Sequence, residues 1–166
     1  MPPNSAQAFK NTPKSKDKWE IIKGRQHLKA LESIFGDAQS QIIIASGWVT
    51  DWVVTQEFSR NVESSIKRGV NIRLIFGHHL KGSEHSRDRA LNQLIKIRNN
   101  SISDAASGNL LIFDVYEQTD QQYGTHAKAL VCDEKYAICG SHNWLSNNLF
   151  KSAEISVKVK DMNLVQ

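Results

Sequence analysis

Apolar runs and amphipathic stretches alternate along much of the chain. The runs QIIIASGWV and VNIRLIFG are short and unbroken, as expected of strands covered on both faces. The stretch between them repeats apolar residues at helical spacing, at Val54, Phe58, Val62 and Ile66. Asp51 is a suitable N-cap for this helix, and Gly69 ends it. Strand, helix and strand in this order predict a βαβ unit with parallel strands.

The remaining patterns extend the same architecture. A first helix is predicted at RQHLKALESIF, ending at Gly36, and another after a polar loop at 78–88. The residues expected to face the core in these two helices are Leu28, Leu31 and Ile34, and then Leu91, Leu94 and Ile95. Further strands are predicted at WEIIKG, NLLIFDVYEQ, HAKALVCD, YAICG and EISVKVK. The chain is therefore predicted to be an α/β protein with a central mixed β-sheet flanked by helices.

A length of 166 residues predicts one folded domain. Residues 1–18 are rich in lysine and lack an apolar stretch, so they are predicted to form a disordered basic tail before a domain at 19–166. The segment DMNLVQ at 161–166 resembles the opening of a further helix capped by Asp161. This pattern leaves room for a fused or associated partner domain.

Composition and charge narrow the class of protein. Hydrophobic residues make up 40% of the chain and charged residues 23%, which is ordinary for a globular protein. The formal net charge of +4 fits an anionic partner such as a nucleic acid or a phospholipid surface. No apolar run in the sequence approaches the roughly 18 residues of a membrane span, and no secretory or mitochondrial signal is recognisable. A cytoplasmic location is therefore expected.

The two cysteines, Cys132 and Cys139, both lie inside apolar segments. Two buried free thiols in a reducing compartment are expected, with a cross-strand disulfide as the alternative. No Cys or His spacing in the sequence resembles a zinc site. Neither a metal nor another cofactor is therefore expected.

Polar residues stand at both ends of the apolar segment HAKALVCDEKYAICGSHN. His126 and Lys128 are two residues apart and therefore share one face of an extended strand. The residues expected to face the core instead are Ala127, Ala129 and Val131. A strand end that presents an ammonium beside an imidazole is a candidate phosphate site, because lysine supplies charge and histidine supplies a nucleophile or a proton donor.

A second polar group follows the next apolar run. Gly140 allows the backbone to approach an anion closely, and Ser141 and Asn143 add neutral donors. A helix predicted at SHNWLSNNLF would add free N–H groups at its start. Taken singly, a strand-end histidine, a solvated lysine and a Gly-Ser turn are common surface features. The joint spacing is far more restrictive: His-x-Lys, four residues, Asp, six residues, Gly-Ser-x-Asn.

This spacing resembles the HKD motif of the phospholipase D superfamily, and the match has no gaps. The matching residues are His126, Lys128 and Asp133 in the first part of the motif, Gly140, Ser141 and Asn143 in the second part, and Glu154 at the acidic position that usually follows. The order of helices and strands is also similar to that of single-motif members of the superfamily. The resemblance in fold covers residues 19–160, and the specific motif covers 126–154.

The resemblance implies a mechanism. His126 would attack phosphorus and form a covalent phosphohistidine. Lys128 and Asn143 would hold the nonbridging oxygens and stabilise the charge that develops in the transition state. Ser141 would support that loop, and Glu154 would hydrogen-bond the imidazole and fix its tautomer. No metal is required by this chemistry.

Three residues within the motif receive other interpretations. Asp133 has the opposite strand parity to His126, so it is predicted to be a structural turn residue. Gly140 is likewise assigned a structural role. His142 is an extra imidazole inside Gly-Ser-x-Asn and is a candidate for substrate contact, with a solvent-facing position as the alternative.

The implied chemistry needs a second imidazole, because one histidine attacks and another protonates the leaving alkoxide. His79 and Lys81 repeat the His-x-Lys spacing, but the rest of the motif does not follow them. A homodimer that shares one active site is therefore predicted, with His126 of both subunits meeting at a two-fold axis. Small single-motif members of the superfamily assemble in this way and are typically nucleases.

The loop at 78–88 follows a predicted parallel strand, and such loops border ligand crevices in α/β sheets. His79, Lys81 and Arg87 are therefore candidates for contacts with substrate phosphates, with a solvated polar loop as the alternative.

Three functions remain open at this point. A metal-independent phosphodiesterase or nuclease acting on DNA or RNA is favoured by the size, the single motif and the basic charge. A lipid-directed phospholipase or phosphatidyl transferase would use an exposed apolar lip, for which Trp48, Trp52 and Trp144 are candidates, although their segments are typical of a core. A non-catalytic nucleic-acid-binding module is disfavoured by the intact motif.

Overall fold

A mixed sheet organises the part of the chain that the structure describes. The structure is a computed structural model that describes residues 18–77, 84–101, 108–115, 124–146 and 153–160. Within these ranges the helices are α1 (Gln26–Asp37), α2 (Gln56–Lys67) and α3 (Glu84–Ser101). The strands are β1 (Trp19–Lys23), β2 (Gln41–Ala45), β3 (Asn71–Phe76), β4 (Leu110–Asp114), β5 (Ala129–Cys132), β6 (Tyr136–Gly140) and β7 (Ile155–Val159). The predictions for the basic tail up to residue 17 and for the helix opening at 161–166 lie outside the described residues.

The described strands lie in the order β1-β7-β6-β5-β2-β3-β4. β2, β3 and β4 are parallel, and a helix precedes both β3 and β4 in the chain. β5, β6, β7 and β1 pair antiparallel, and β5 joins the two halves of the sheet by pairing antiparallel with β2. The predicted α/β class with a central mixed sheet is therefore confirmed, as is the parallel βαβ unit.

One face of the sheet forms a single core with the apolar sides of the three described helices. Ile44 on β2 and Leu130 on β5 are partners across the junction, and both are fully buried on this face. The opposite face is less covered, because Leu111 and Phe113 on β4 remain partly exposed.

The face of β5 that packs against the core is the opposite of the predicted one. Exposed or half-buried positions are found for the residues predicted to face inward, Ala127, Ala129 and Val131. Leu130 and Cys132 are buried instead, because the helices cover the face that carries these larger side chains. His126 and Lys128 share the parity of that covered face but precede the strand, where solvent reaches them.

Helix α2 begins four residues later than Asp51 would place it, at Gln56. The N-cap is Thr55, whose Oγ1 accepts a hydrogen bond from the N–H of Phe58 at 3.2 Å. Asp51 pairs instead with Arg89 of α3, so its carboxylate fastens the turn before α2 to α3. The predicted apolar stripe is confirmed, since buried positions are found for Val54, Phe58, Val62 and Ile66.

The inward faces of α1 and α3 were only partly predicted. Gly36 does not end α1, which continues to Asp37. Leu28 lies on the outer side of α1 and Ile95 on the outer side of α3. The buried residues of these helices are His27, Leu31, Ile34 and Phe35 in α1 and Ala90, Leu94 and Ile97 in α3. Both helices carry apolar residues on more than one side, so spacing alone did not select the buried one.

His27 is buried in place of Leu28 because both of its ring nitrogens are hydrogen-bonded. Its Nδ1 donates to the carbonyl of Gly24 at 3.0 Å, which leaves Nε2 to accept from Ser156 Oγ at 3.0 Å. The cysteines also differ from expectation. Cys132 is a buried free thiol as predicted, but Cys139 is exposed because β6 turns it toward the less covered face.

Asp133 fastens the turn between β5 and β6 to the start of β2. Its carboxylate accepts hydrogen bonds from the N–H groups of Gln39, Ser40 and Gln41 at 2.8–2.9 Å, and from Ser40 Oγ at 2.9 Å. Its φ of 48° is left-handed, which aspartate and asparagine tolerate better than most residues. Burial by itself would raise the pKa of Asp133, but the three N–H donors hold that pKa well below its usual range. These contacts support the predicted structural role.

We expect Asp133→Asn to lower the free energy of unfolding by about 2–4 kcal/mol, because charge-assisted hydrogen bonds to buried N–H groups are lost. Asparagine tolerates the same φ, so backbone strain does not cause the change. Since the folded pKa is depressed, this stabilisation is complete above the ordinary aspartate pKa of about 3.9 and is lost as the pH falls below it. Chemical denaturation at neutral and acidic pH should show the difference from the native chain shrinking with acid.

The matched control is Glu134→Gln, which neutralises an exposed carboxylate in the same turn. This variant should change the free energy of unfolding by no more than about 0.5 kcal/mol. Equal stability of Asp133→Asn and the native chain at neutral pH would contradict the structural role of the carboxylate.

Candidate active site

An open cleft forms where β2 ends and β5 begins, and its volume is about 430 Å³. The residues that line it are Trp48, His126, Lys128, Gly140, Ser141, Asn143 and Glu154. The structure therefore brings together every motif residue except Asp133, which lies at the opposite end of β5. The side chains come from the ends of β5, β6 and β7, which are neighbours in the sheet.

The ammonium nitrogen of Lys128 contacts two atoms of His126. Its Nζ lies 3.1 Å from the Nδ1 of the imidazole and 2.9 Å from the carbonyl oxygen of the same residue. An ammonium can only donate, so Nδ1 accepts in this arrangement and the proton of a neutral imidazole lies on Nε2. Desolvation in the cleft lowers the pKa of Lys128, and the carboxylate of Glu154 partly opposes this shift.

Ser141 connects β6 to β7 at the floor of the cleft. Its N–H donates to the carbonyl of Ile155 at 3.0 Å, and its Oγ accepts from the N–H of Ile155 at 3.1 Å. The same Oγ donates to Oε2 of Glu154 and so holds that carboxylate beside the cleft. The hydrogen bond expected between Glu154 and His126 stays a prediction.

Gly140 is required for this contact because β6 and β7 approach each other closely at that point. A Cβ at Gly140 would lie 2.3 Å from the carbonyl oxygen of Ile155 and 2.5 Å from Cα of Ser156. Both neighbours are backbone atoms, so no flexible side chain can move aside. The absence of a side chain here lets Ser141 reach Glu154.

Asn143 is buried, and a hydrogen bond from the chain that follows β2 orients its side chain. Its Oδ1 accepts a hydrogen bond from the N–H of Gly47 at 2.9 Å. No acceptor among the described residues lies within bonding distance of its Nδ2, and Asn143 lines the cleft. The side chain can therefore offer a neutral N–H donor to a ligand oxygen.

The segment 141–146 does not begin a helix. Leu145 forms a parallel bridge with Val49, and its N–H donates to Ser46 Oγ at 3.2 Å. The helix predicted from SHNWLSNNLF is therefore wrong for this part, because contacts with the chain after β2 satisfy the backbone instead. Residues 147–150 lie outside the described ranges.

Trp48 lines the cleft although the sequence pattern suggested only a lip or a core position. Its ring meets the ring of His126 edge to face, with centroids 6.2 Å apart and an interplanar angle of 87°. The signal that could have found it is its place directly after a parallel strand, since such loops border ligand crevices. The other two tryptophans differ, because Trp52 is 74% exposed and Trp144 only 1%.

Two of the predicted substrate-binding residues lie away from the cleft. Arg87 is ion-paired with Asp114 and lies 3.7 Å from Asp88, so acidic partners already neutralise its charge. His142 is only 3% exposed and lines a different cavity, so neither substrate contact in the cleft nor the solvent-facing alternative holds. His79 and Lys81 lie outside the described residues.

Among the residues that the structure describes, no group of three or more His, Cys, Asp or Glu side chains is placed to hold a metal ion. The helices in those ranges are also too short or too polar to cross a membrane.

Comparisons with known proteins identify the family of this chain and proteins of similar fold. The family model described as "Cardiolipin synthase, PLD-like domain" matches residues 31–166. The fold is similar to that of NucT from Helicobacter pylori, with a TM-score of 0.62 and 19% identity over 89% of this chain and 88% of that one. It is also similar to Nuc from Salmonella typhimurium, a phospholipase D family member, with a TM-score of 0.56 and 16% identity over 89% and 86% of the two chains.

A larger protein shares the same fold. Phosphatidylserine synthase from Haemophilus influenzae Rd KW20 matches with a TM-score of 0.64 and 13% identity over 87% of this chain but only 35% of its own. No curated protein sequence matches this chain.

The sheet and its cleft define an α/β protein that gathers an imidazole, an ammonium, an amide and a carboxylate at strand ends. The chain belongs to the PLD-like domain family, within the phospholipase D superfamily. The predicted resemblance is thereby confirmed, and membership carries phosphodiesterase-type activity in general.

We expect Gly140→Ala to lower the free energy of unfolding by about 1–3 kcal/mol, because its Cβ must displace the backbone of β7. The rate of cleavage of bis(p-nitrophenyl) phosphate should fall even at temperatures where the variant is fully folded, because Ser141 and Glu154 are forced apart. Thermal denaturation and initial rates below the melting temperature measure the two effects separately.

Gly36→Ala in α1 is the control, because a Cβ there meets nothing within 4 Å. Alanine is the better helix former, so this variant should keep or slightly raise stability. Native stability and activity in Gly140→Ala would show that the approach of β6 to β7 does not need glycine.

Proposed function

We propose that this protein is a metal-independent nuclease that cleaves DNA or RNA phosphodiester bonds through a covalent phosphohistidine, and that it acts as a homodimer. The observation that carries the proposal is the convergence of His126, Lys128, Asn143 and Glu154 in one open cleft. An imidazole, an ammonium, an amide donor and a carboxylate are the groups that a nucleophilic displacement at phosphorus requires.

Substrate binding begins with Lys128. In the structure its ammonium donates to Nδ1 and to the carbonyl oxygen of His126. An incoming phosphate is a stronger acceptor than an imidazole nitrogen, so it draws Lys128 onto a nonbridging oxygen. Nδ1 then no longer accepts from Lys128, so the ring proton can move from Nε2 to Nδ1 and be donated toward Glu154. The lone pair of Nε2 becomes available to attack.

Two displacements complete the reaction. Nε2 of His126 bonds to phosphorus while the bond from phosphorus to the leaving oxygen breaks, and a second imidazolium protonates the departing alkoxide. A water molecule then gives a proton to that second imidazole and attacks phosphorus. The nitrogen–phosphorus bond breaks, and both histidines return to their starting forms. Lys128 and the Nδ2 of Asn143 stabilise the oxygens that gain charge in both steps.

The second imidazole is assigned to another copy of the chain. His126 is the one imidazole among the described residues that line the cleft. Two-fold symmetry places identical groups opposite each other, so a dimer axis beside the cleft supplies the missing histidine without a second motif. NucT and Nuc support this arrangement, because they match this chain over almost their whole length rather than over one half.

A nucleic-acid substrate is favoured by the open cleft and by the net charge of +4. A lipid-directed phospholipase or phosphatidyl transferase is the second candidate. It is favoured by Trp48, which places an aromatic ring beside His126, and by the matching family, which is described as cardiolipin synthase. Nucleic acids and phospholipid vesicles, tested side by side as substrates, distinguish the nuclease from the lipid-directed enzyme.

We expect the native chain to cleave at least one of single-stranded DNA, double-stranded DNA and RNA in excess EDTA, and to leave phosphatidylcholine vesicles intact. His126→Ala should lower this rate by about 10³–10⁶-fold without loss of fold, because the nucleophile is removed. Gel assays for the nucleic acids, choline-release assays for the vesicles and circular dichroism for the fold provide the readouts.

His85→Ala is the matched control, since it removes an exposed imidazole on α3 outside the cleft. Its rate should equal that of the native chain. Loss of activity in EDTA that Mg²⁺ restores would overturn the metal-independent mechanism, and turnover confined to vesicles would favour the lipid-directed candidate. Binding of nucleic acid with no cleavage, unchanged by His126→Ala, would favour a non-catalytic module.

We expect a heterodimer of one native and one His126→Ala subunit to be nearly as inactive as the doubly substituted dimer, because each turnover uses both imidazoles. Co-expression with two different affinity tags allows the heterodimer to be purified, and analytical ultracentrifugation checks its assembly. A native dimer carrying the same two tags is the control. Half of the native activity in the heterodimer would mean that each subunit works alone, and an active monomer would exclude the shared site.

A further inference from the structure

Three exposed cations surround the turn between β1 and α1. Lys23 ends β1, Arg25 directly precedes α1, and Lys29 lies one helical turn further on. No side-chain hydrogen bond or ion pair joins any of the three to another residue in the described ranges. We call these residues the basic turn. Its charges are not compensated by the part of the chain that the structure describes.

This arrangement of charges opposes the stability of α1. The N-terminus of a helix is the positive end of its dipole, so anionic groups are favourable there and cations are unfavourable. The first turn of α1 contains no acidic residue, and the side chain of Arg25 makes no capping hydrogen bond. Arg25 and Lys29 are also like charges four residues apart, and such pairs repel each other. An anion that binds beside the start of α1 would relieve both effects.

The basic turn lies at the same end of the sheet as the cleft. Lys23 is the register partner of Ile155, which directly follows Glu154, and Glu154 lines the cleft. Strands β7 and β6 separate β1 from β5. Neighbouring strands are about 4.8 Å apart, so the basic turn is about 14 Å from the start of β5, where His126 and Lys128 stand.

Hydrogen bonds hold the backbone of this turn. The N–H of Lys23 donates to Oε1 of Gln26 at 2.8 Å, and the N–H of His27 donates to the carbonyl of Gly24 at 3.1 Å. Gly24 has a φ of 47°, which glycine adopts without strain. The imidazole of His27 also joins the turn to Ser156 of β7. The position of the basic turn relative to the cleft is therefore fixed by the fold.

From this arrangement we infer that the basic turn binds backbone phosphates of a nucleic-acid strand whose scissile phosphate lies in the cleft. A stacked strand carries one phosphate per about 3.4 Å, so these contacts lie about four nucleotides from the bond that is cleaved. The inference rests on the proposed nuclease function and adds what selects the substrate. The protein prefers strands of at least about five nucleotides over short phosphodiesters, because only the longer strands reach both places.

Cleavage of oligonucleotides of increasing length tests the inference, with oligothymidylates for DNA and oligouridylates for RNA. We expect kcat/KM of the native chain in EDTA to rise about 10–30-fold between about three and about eight nucleotides, mainly through KM, and then to level off. The variant Lys23→Gln, Arg25→Gln should lose most of this rise. Lys67→Gln, Lys96→Gln is the control, because it removes two exposed charges from α2 and α3 outside the cleft. It should keep the rise.

Equilibrium binding separates this inference from the proposed function. Fluorescence anisotropy of a labelled octanucleotide with His126→Ala gives the dissociation constant and its dependence on salt without cleavage. Adding Lys23→Gln and Arg25→Gln should weaken binding about 10-fold and reduce the slope of log K against log salt by about 1.4, because each phosphate contact of a single strand contributes about 0.7. The melting temperature should stay equal or rise, since repulsion at the start of α1 is relieved.

A rise in kcat/KM with length that Lys23→Gln, Arg25→Gln retains would overturn the inference and leave the nuclease activity standing. If the native chain cleaves no nucleic acid but its octanucleotide binding depends on Lys23 and Arg25, the phosphate contact is supported and the proposed function is overturned. Absence of octanucleotide binding, or an equal loss in the control, would overturn the inference. So would a loss confined to phosphatidylglycerol vesicles in cosedimentation, which would assign the basic turn to a lipid surface.

Discussion

The hydrogen bonds accepted by the carboxylate of Asp133 fix the register of β5 on β2, and the rest of the site depends on that register. A slip of one residue would exchange the two faces of β5. Leu130 would leave the core, and the side chains of His126 and Lys128 would turn to the other side of the sheet. The aspartate of the motif therefore positions His126 and Lys128 from the far end of the strand.

The irregular segment 141–146 is the second element on which the site depends. Asn143 lines the cleft, while its neighbours His142 and Trp144 are buried on the side of α1 and α2. The N–H of Gly47 and the hydroxyl of Ser46 hold this segment against the chain that follows β2. The amide of Asn143 is thus supported from the core, which limits the motion of its side chain at the cleft.

The sequence was sufficient for the α/β class, the βαβ unit and the family, because periodicity and a motif without gaps are local properties of the chain. It was not sufficient for the inward face of β5, where apolar residues occupy both faces and only the packing of the helices selects Leu130 over Ala129. Trp48 and His142 were misjudged for a related reason. Their surroundings come from distant segments, since Trp48 meets His126 and His142 packs against His27 at 4.4 Å between ring centroids.

The pairing of β1 with β7 joins residues that are very far apart in the chain, as in the ion pair of Lys160 with Glu20, 140 residues away. Closing so large a loop is slow compared with forming the βαβ unit, so this edge of the sheet is expected to assemble last. Glu154 directly precedes β7, and Ser156 on that strand meets His27. Until β7 docks on β6, Glu154 is not held at the cleft, so the cleft side chains come together only when this edge of the sheet has folded.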